Sequence, residues 1–205
     1  DDHDDHDGAV INDPKTALAQ LSRSKVGQRL LAAYASARPD ERVGRMTPLV
    51  QRLAATRNVE WPDHVAAALY RRGLVDDAAR LAARSDSPLS VWVQSKLALR
   101  RGDVDGARAL LARASKAFVQ RAPSPAAAFD DAWTPWWHPL AKTPRARVLG
   151  EAAVLSLSRN EYVRALDEFV AADAWWQDAA FVAERVLTTA ELLRWAEANT
   201  SVADA

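Results

Sequence analysis

Two segments of the chain repeat each other without gaps, 29 residues apart, and this spacing constrains the fold more than any other feature of the sequence. The segments are ALYRRGLVDDAARL (Ala68 to Leu81) and LALRRGDVDGARAL (Leu97 to Leu110). A third segment, SLSRNEYVRALDEF (Ser156 to Phe169), fits the same frame more weakly. Such a period is typical of arrays in which each structural unit buries its apolar surface against its neighbours.

The same frame places turn-forming and small residues at fixed positions. Gly73, Gly102 and Asn160 coincide at the turn, where a residue with left-handed backbone can end a helix. Small residues hold three further positions: Ala66, Ser95 and Ala153; Ala78, Ala107 and Ala165; and Ser85, Ala114 and Ala172. Small side chains let two antiparallel helices approach closely and let the next hairpin stack on them. The pattern therefore predicts stacked helical hairpins.

These positions resemble tetratricopeptide repeats in degenerate form, over residues 60–118 and 145–172. The segment from Glu161 to Trp195, EYVRALDEFVAADAWWQDAAFVAERVLTTAELLRW, also resembles part of long bacterial cell-envelope proteins built from such repeats. The segment SPLSVWVQSKLALRRGD, from Ser87 to Asp103, adds to that second resemblance. The resemblance implies a repeat scaffold located in the periplasm or cell envelope, without a catalytic role.

The sequence predicts an all-α fold, a helical-hairpin solenoid of about ten helices with one insertion rich in proline and tryptophan. Several helices are expected to begin with a capping residue followed by proline, at Asp13-Pro14, Thr47-Pro48, Ser87-Pro88 and Thr143-Pro144. Proline suits the first helical position because its missing N–H has no partner there. The predicted organisation is an acidic, histidine-containing disordered tail at 1–13, a hairpin block at 14–118, a loop at 119–143, and a second block at 144–205 that continues the solenoid.

Composition narrows the classes of function. The 27 basic residues balance the 27 acidic ones, so no whole-protein field favours nucleic acid. The chain has no cysteine, which excludes disulfides, thiolate zinc sites and cysteine nucleophiles. No apolar run approaches the roughly 20 residues of a membrane-spanning helix. The chain begins at Asp1 without an initiating methionine, as a processed, truncated or excerpted protein does, and the cytoplasm stays open beside the envelope.

Two segments outside the repeats carry candidate sites. In DDHDDHDG, His3 and His6 lie among carboxylates that could bind a metal, although a chain end of consecutive aspartates lacks a framework to hold ligands. We therefore expect no physiological metal site there. In WTPWWHPL, Trp133, Trp136 and Trp137 form either a recognition surface for a partner or a seal over the gap between two helical blocks. The seal is the favoured interpretation, because exposed tryptophans promote aggregation.

By analogy with tetratricopeptide repeats, the first helix of each hairpin lines the binding surface. This analogy selects as partner-binding candidates Tyr70, Arg71, Trp92, Lys96, Arg100 and Arg147. Arginine and aromatic side chains are those that most often anchor interfaces. For Trp92, an equally supported alternative is that the ring belongs to the core.

A helical wheel shows which residues share a helix face with the adjacent tryptophans Trp175 and Trp176. Ala180, Ala183 and Leu187 fall beside Trp176, while Ala179, Val182 and Val186 fall beside Trp175. The apolar arc is wide enough for a helix that contacts both the preceding and the following hairpin. We predict that Trp176 fills the joint before the last hairpin. Phe181 lies off the arc and has no expected packing partner.

No sequence motif indicates catalysis or a cofactor. The chain lacks a glycine-rich phosphate loop, a zinc-binding helix motif and a nucleophile elbow. We therefore predict no catalytic residues, no cofactor and no enzyme activity. The prediction is a protein- or peptide-binding scaffold of the bacterial cell envelope, part of a larger chain or assembly that could associate it with a membrane. Two alternatives stay open: an accessory domain of an envelope enzyme whose catalytic part is elsewhere, and a metal-binding envelope protein that uses the N-terminal tail.

Overall fold

The computed structural model describes residues 14–37, 43–120 and 143–203, and all regular secondary structure in these ranges is helical. Eleven α-helices lie in them: α1 Pro14–Leu21, α2 Lys25–Ala37, α3 Val43–Ala55, α4 Pro62–Arg71, α5 Val75–Ala82, α6 Pro88–Arg100, α7 Val104–Gln120, α8 Pro144–Ser158, α9 Tyr162–Ala172, α10 Trp176–Phe181 and α11 Thr189–Ala203. Helix α10 continues into a π-helical turn at Val182–Val186. The all-α prediction is confirmed for the described part of the chain.

The helices pack as a row of hairpins. Helices α4 and α5, α6 and α7, and α8 and α9 form the three most extensive antiparallel pairs. We call α2, α4, α6 and α8 the first helices; α4 packs between α2 and α6, and the second helices α3, α5 and α7 each contact the first helix that follows. The array thus continues from α7 to α8 across the insertion. The predicted tail and the central part of the predicted loop lie outside the described residues.

Three identical turns close the main hairpins, as the repeat frame predicts. Gly73, Gly102 and Asn160 have positive φ angles of 76°, 78° and 61°. The residue after each turn donates its N–H to the carbonyl five residues back, as Leu74 does to Leu69, Asp103 to Ala98 and Glu161 to Ser156. These hydrogen bonds use carbonyls that a helix end leaves unpaired.

Small residues lie where the helices approach most closely. Six of the residues at the repeated positions have side chains with 0% exposure: Ala66, Ser95, Ala153, Ala78, Ala107 and Ala165. Ala114 is also fully buried and Ala172 nearly so. Larger side chains at these positions would separate the helices, because protein interiors are already close-packed. Eight of the nine repeated positions are therefore buried as the pattern requires, and the ninth, Ser85, is half-buried.

The predicted helix starts are mostly confirmed. The hydroxyls of Ser87 and Thr143 accept the backbone N–H groups of Ser90 and Ala146, as N-cap residues do. At Thr47-Pro48 the prediction is wrong, since α3 already begins at Val43 and includes Pro48. A proline inside a helix has no N–H to donate and leaves one carbonyl without its intrahelical hydrogen bond. Helix α3 continues through Pro48 despite this lost hydrogen bond.

Ion pairs join the two sides of the insertion at the start of α7. The guanidinium of Arg108 donates to the carboxylate of Glu161 at 2.8 Å, and Arg159 lies 2.8 Å from Asp105. Burial raises the pKa of Glu161, but hydrogen bonds from Arg159 and Arg108 and the charges of both arginines hold that pKa below its ordinary value. The turn between α8 and α9 is thereby held against α7.

The joint before the last hairpin is filled by Trp175, and the prediction that Trp176 fills it is wrong. The Trp175 indole donates to the carbonyl of Ala146 at 2.8 Å and lies so close to Gly150 that a Cβ there would be 2.5 Å from Nε1. Trp176 is 55% exposed. The strip of the wheel that includes Trp175, Ala179 and Val182 is packed. Of the strip beside Trp176, Leu187 is buried and Ala180 is exposed.

We expect Trp175→Ala to lower the free energy of unfolding by about 3 kcal/mol, as the loss of a packed indole does. Trp176→Ala is the matched control and should change it by less than ~0.5 kcal/mol. Urea unfolding followed by circular dichroism measures both. Equal losses for the two variants would show that Trp175 does not fill the joint.

Candidate functional site

Four of the predicted binding residues meet at one place on the first helices. Tyr70 from α4, Lys96 from α6 and Arg147 from α8 lie around the ring of Trp92 from α6. The indole N–H of Trp92 donates to a fifth residue, Glu151 of α8. We call these five residues the Trp92 cluster. It therefore draws on three successive hairpins, one of which lies beyond the insertion.

The indole of Trp92 forms the buried base of the cluster. It is 2% exposed and belongs to the main hydrophobic core. The edge of the Tyr70 ring meets it at a centroid distance of 6.2 Å and an interplanar angle of 81°, a favourable aromatic geometry. Trp92 is thus a core residue that supports the surface from below, which is the alternative that the sequence left open.

Glu151 connects α8 to α6. One of its carboxylate oxygens accepts the indole N–H of Trp92 at 2.7 Å and lies 2.8 Å from Nζ of Lys96. The other lies 3.6 Å from Nε of Arg147. Sequence reasoning missed Glu151, because in the repeat frame it holds the position of the apolar Val93 on α6, 58 residues earlier, and so gave no signal.

Two cations lie over the indole. Nζ of Lys96 is 5.3 Å from the ring centroid and the guanidinium carbon of Arg147 is 5.7 Å from it, both within the range of a cation–π interaction. Their side chains are 21% and 33% exposed. The ring and the Glu151 carboxylate therefore hold both cations in place while part of each stays open to solvent.

The other predicted residues lie apart from the cluster. Arg71 donates to the carbonyl of Ser36 at 2.9 Å and so caps the end of α2. Arg100 is exposed at the end of α6 and pairs with no carboxylate within the described ranges. Trp133, Trp136 and Trp137, together with His3 and His6, lie outside the described residues.

A buried polar network lies at the other end of the first helices. It contains the residue types of a catalytic triad, but its geometry is that of a helix cap. Asp63 accepts the hydroxyl of Ser87 at 2.7 Å, and its other oxygen lies 2.9 Å from Nδ1 of His64. The Ser87 hydroxyl in turn accepts the N–H of Ser90. In a nucleophilic triad the serine contacts the imidazole, which activates it. Here the serine contacts the carboxylate, so the network ties the starts of α4 and α6 together.

No family model, curated protein or solved structure matches this chain. Among the described residues, no group of three histidine, aspartate or glutamate side chains is placed to hold a metal ion. None of the described helices combines the length and apolar character needed to cross a membrane. We take the Trp92 cluster as the candidate site because of the contacts among its side chains.

The Asp63 network makes stability depend on pH. Burial raises the pKa of the Asp63 carboxyl, but its interactions with His64 and the hydrogen bond from Ser87 outweigh burial and hold the pKa below its ordinary value. The ionised carboxylate therefore stabilises the fold above the unfolded pKa, and this contribution is lost as pH falls through the lower folded pKa. We expect Asp63→Asn to melt below the parent near neutral pH, with the difference narrowing as the pH falls below the ordinary pKa of an aspartate.

Differential scanning fluorimetry across acidic pH measures this difference. The exposed Asp86 on the same stretch of chain provides the control, since Asp86→Asn removes one carboxylate charge without removing a buried hydrogen bond. A difference between Asp63→Asn and the parent that stays constant through the acidic range would contradict the assignment.

Proposed function

We propose that this chain is a non-enzymatic scaffold that binds a peptide or protein segment on the face of its first helices. The observation that carries the proposal is the convergence of Tyr70, Lys96 and Arg147 from three successive hairpins on the single buried ring of Trp92. A surface assembled from several repeats offers contact to an extended partner rather than a closed pocket.

The cluster is suited to recognition because its side chains are already ordered. Lys96 and Arg147 are each held by the indole and by Glu151, so a partner that contacts them finds little side-chain freedom left to lose. Arginine and tyrosine are also frequent anchors at protein interfaces. Val154 on α8 adds an apolar side chain that is 60% exposed. It follows Arg147 by seven residues, which is two helical turns, so both side chains lie on the same face of the helix.

We also propose that the hairpins are tetratricopeptide-like repeats and that the protein is located in the bacterial cell envelope. Their support is the sequence resemblance over residues 60–118, 145–172 and 161–195. The buried small residues and the repeated hairpin turns agree with such a repeat, although they occur in other helical arrays as well. Recovery of the full-length gene product in the cytoplasmic fraction of its native cells would contradict the envelope location.

Selection from a random peptide library tests the scaffold function directly. Peptides enriched on the immobilised parent protein should lose at least about tenfold in affinity for the Lys96→Ala/Arg147→Ala variant, as the loss of two anchoring contacts implies. The matched control is Arg113→Ala/Arg164→Ala, which removes the same charge from second helices α7 and α9.

Fluorescence anisotropy measures the affinities, and circular dichroism verifies that both variants keep their helix content. Peptides that bind both double variants as tightly as the parent would place binding elsewhere on the molecule. A library that yields no enriched peptide would refute peptide binding.

A further inference from the structure

Most large apolar side chains that stay exposed lie at the two ends of the described array. They include Leu18, Leu21, Val26 and Leu30 on α1 and α2, and Trp176, Phe181 and Leu193 on α10 and α11. Among the described residues of α4 to α9, only Val154 and Val163 belong to this class. The outermost unit of a helical array usually has a polar outer face. Both outermost hairpins of the described residues depart from this rule.

Helix α2 is apolar on two opposite sides. The side with Leu31, Ala32 and Ala35 is buried in the main core. Val26 and Leu30 lie one turn apart on roughly the opposite side of the helix. They are 68% and 55% exposed, although α1, α3 and α4 all pack on α2. Helix α2 therefore has a second surface that is suited to packing against another helix.

The two ends of the described array carry opposite net charge. Residues 14–37, which hold α1 and α2, include four basic residues and no acidic one. Residues 176–203, which hold α10 and α11, include four acidic residues and two basic ones. We call these the basic end and the acidic end. Opposite charges at two apolar surfaces favour their association, so each end suits the other better than it suits itself.

We infer that copies of this chain associate head to tail, with the acidic end of one copy packed on the basic end of the next. Such a contact continues the array by the same nearest-neighbour packing that joins its hairpins. Because the two surfaces differ, the interface is heterologous, and it produces open chains of copies or closed rings. This inference is independent of the proposed peptide binding on the first helices.

The charges favour a head-to-tail contact over the other ways to cover these surfaces. A symmetric contact between two basic ends would bring eight basic residues together without a carboxylate from either hairpin, which costs binding energy. A symmetric contact between two acidic ends has the same fault with the opposite sign. An anionic membrane would attract the basic end but repel the acidic end, and the apolar side chains there would stay exposed. A second copy accounts for both ends with one interface.

Sedimentation equilibrium of the whole chain tests the association. The average mass of the parent protein should rise with concentration between about 1 µM and about 1 mM, a range that covers weak to moderate affinities. Val26→Gln/Leu30→Gln alters the basic end, and Phe181→Gln/Leu193→Gln alters the acidic end. Each variant alone should associate at least about tenfold more weakly, because every copy then lacks apolar contacts on one of the two surfaces. All four side chains are exposed and glutamine is a good helix former, so circular dichroism should show unchanged helix content.

An equimolar mixture of the two variants distinguishes a head-to-tail contact from a symmetric one. The variant altered at its basic end keeps an intact acidic end, and the other variant keeps an intact basic end. The mixture should therefore form dimers of one copy of each variant and nothing larger. Arg113→Gln/Lys116→Gln is the control, since it places two glutamines on exposed positions of α7, and it should associate within about twofold of the parent.

Three results would overturn the inference: a parent protein that stays monomeric throughout, a variant of either end that associates as strongly as the parent, or a mixture of the two variants that stays monomeric. Two further measurements identify the occupant in the first case. Association only after removal of residues 1–13 would show that this acidic segment of the same chain covers the basic end. Binding of the monomer to phosphatidylglycerol vesicles would assign the basic end to a membrane surface. Either finding would replace the second copy.

Discussion

The structure depends on the close approach of paired helices at positions where the side chain is very small. Ala66, Ser95 and Ala153 on the first helices and Ala78, Ala107 and Ala165 on the second are all inaccessible to solvent. These contacts bring the hairpin helices together, and the left-handed turns at Gly73, Gly102 and Asn160 fix their direction. Each hairpin then packs against the next one, and repetition of that contact forms the array.

The joint between α6 and α8 contains a carboxylate, that of Glu151. It accepts the indole N–H of Trp92 and lies beside the ammonium of Lys96. The same carboxylate orients Arg147 beside the ring. The contacts of this one carboxylate therefore join the hairpins on either side of the insertion and hold two cations at the surface.

The sequence predicted the parts of the fold that depend on local rules and missed those that depend on distant contacts. Turn residues, caps and small residues follow from backbone geometry and spacing, so their positions were readable. The choice between Trp175 and Trp176 depended on where Gly150 of another helix would leave room, and a helical wheel contains no such information. Tyr70, Lys96 and Arg147 were found through the repeat frame. Glu151 was missed because a lone acidic residue on an exposed helix face is usually solvated.

The central claim is that Trp92 and Glu151 form one coupled unit across this joint. A double-mutant cycle with Trp92→Phe and Glu151→Ala, measured by urea unfolding, tests it most directly. Phenylalanine keeps a ring but removes the indole N–H, so each single variant abolishes the same hydrogen bond. We predict a coupling free energy of about 1–2 kcal/mol between the two sites. Effects that add to within about 0.3 kcal/mol would contradict it.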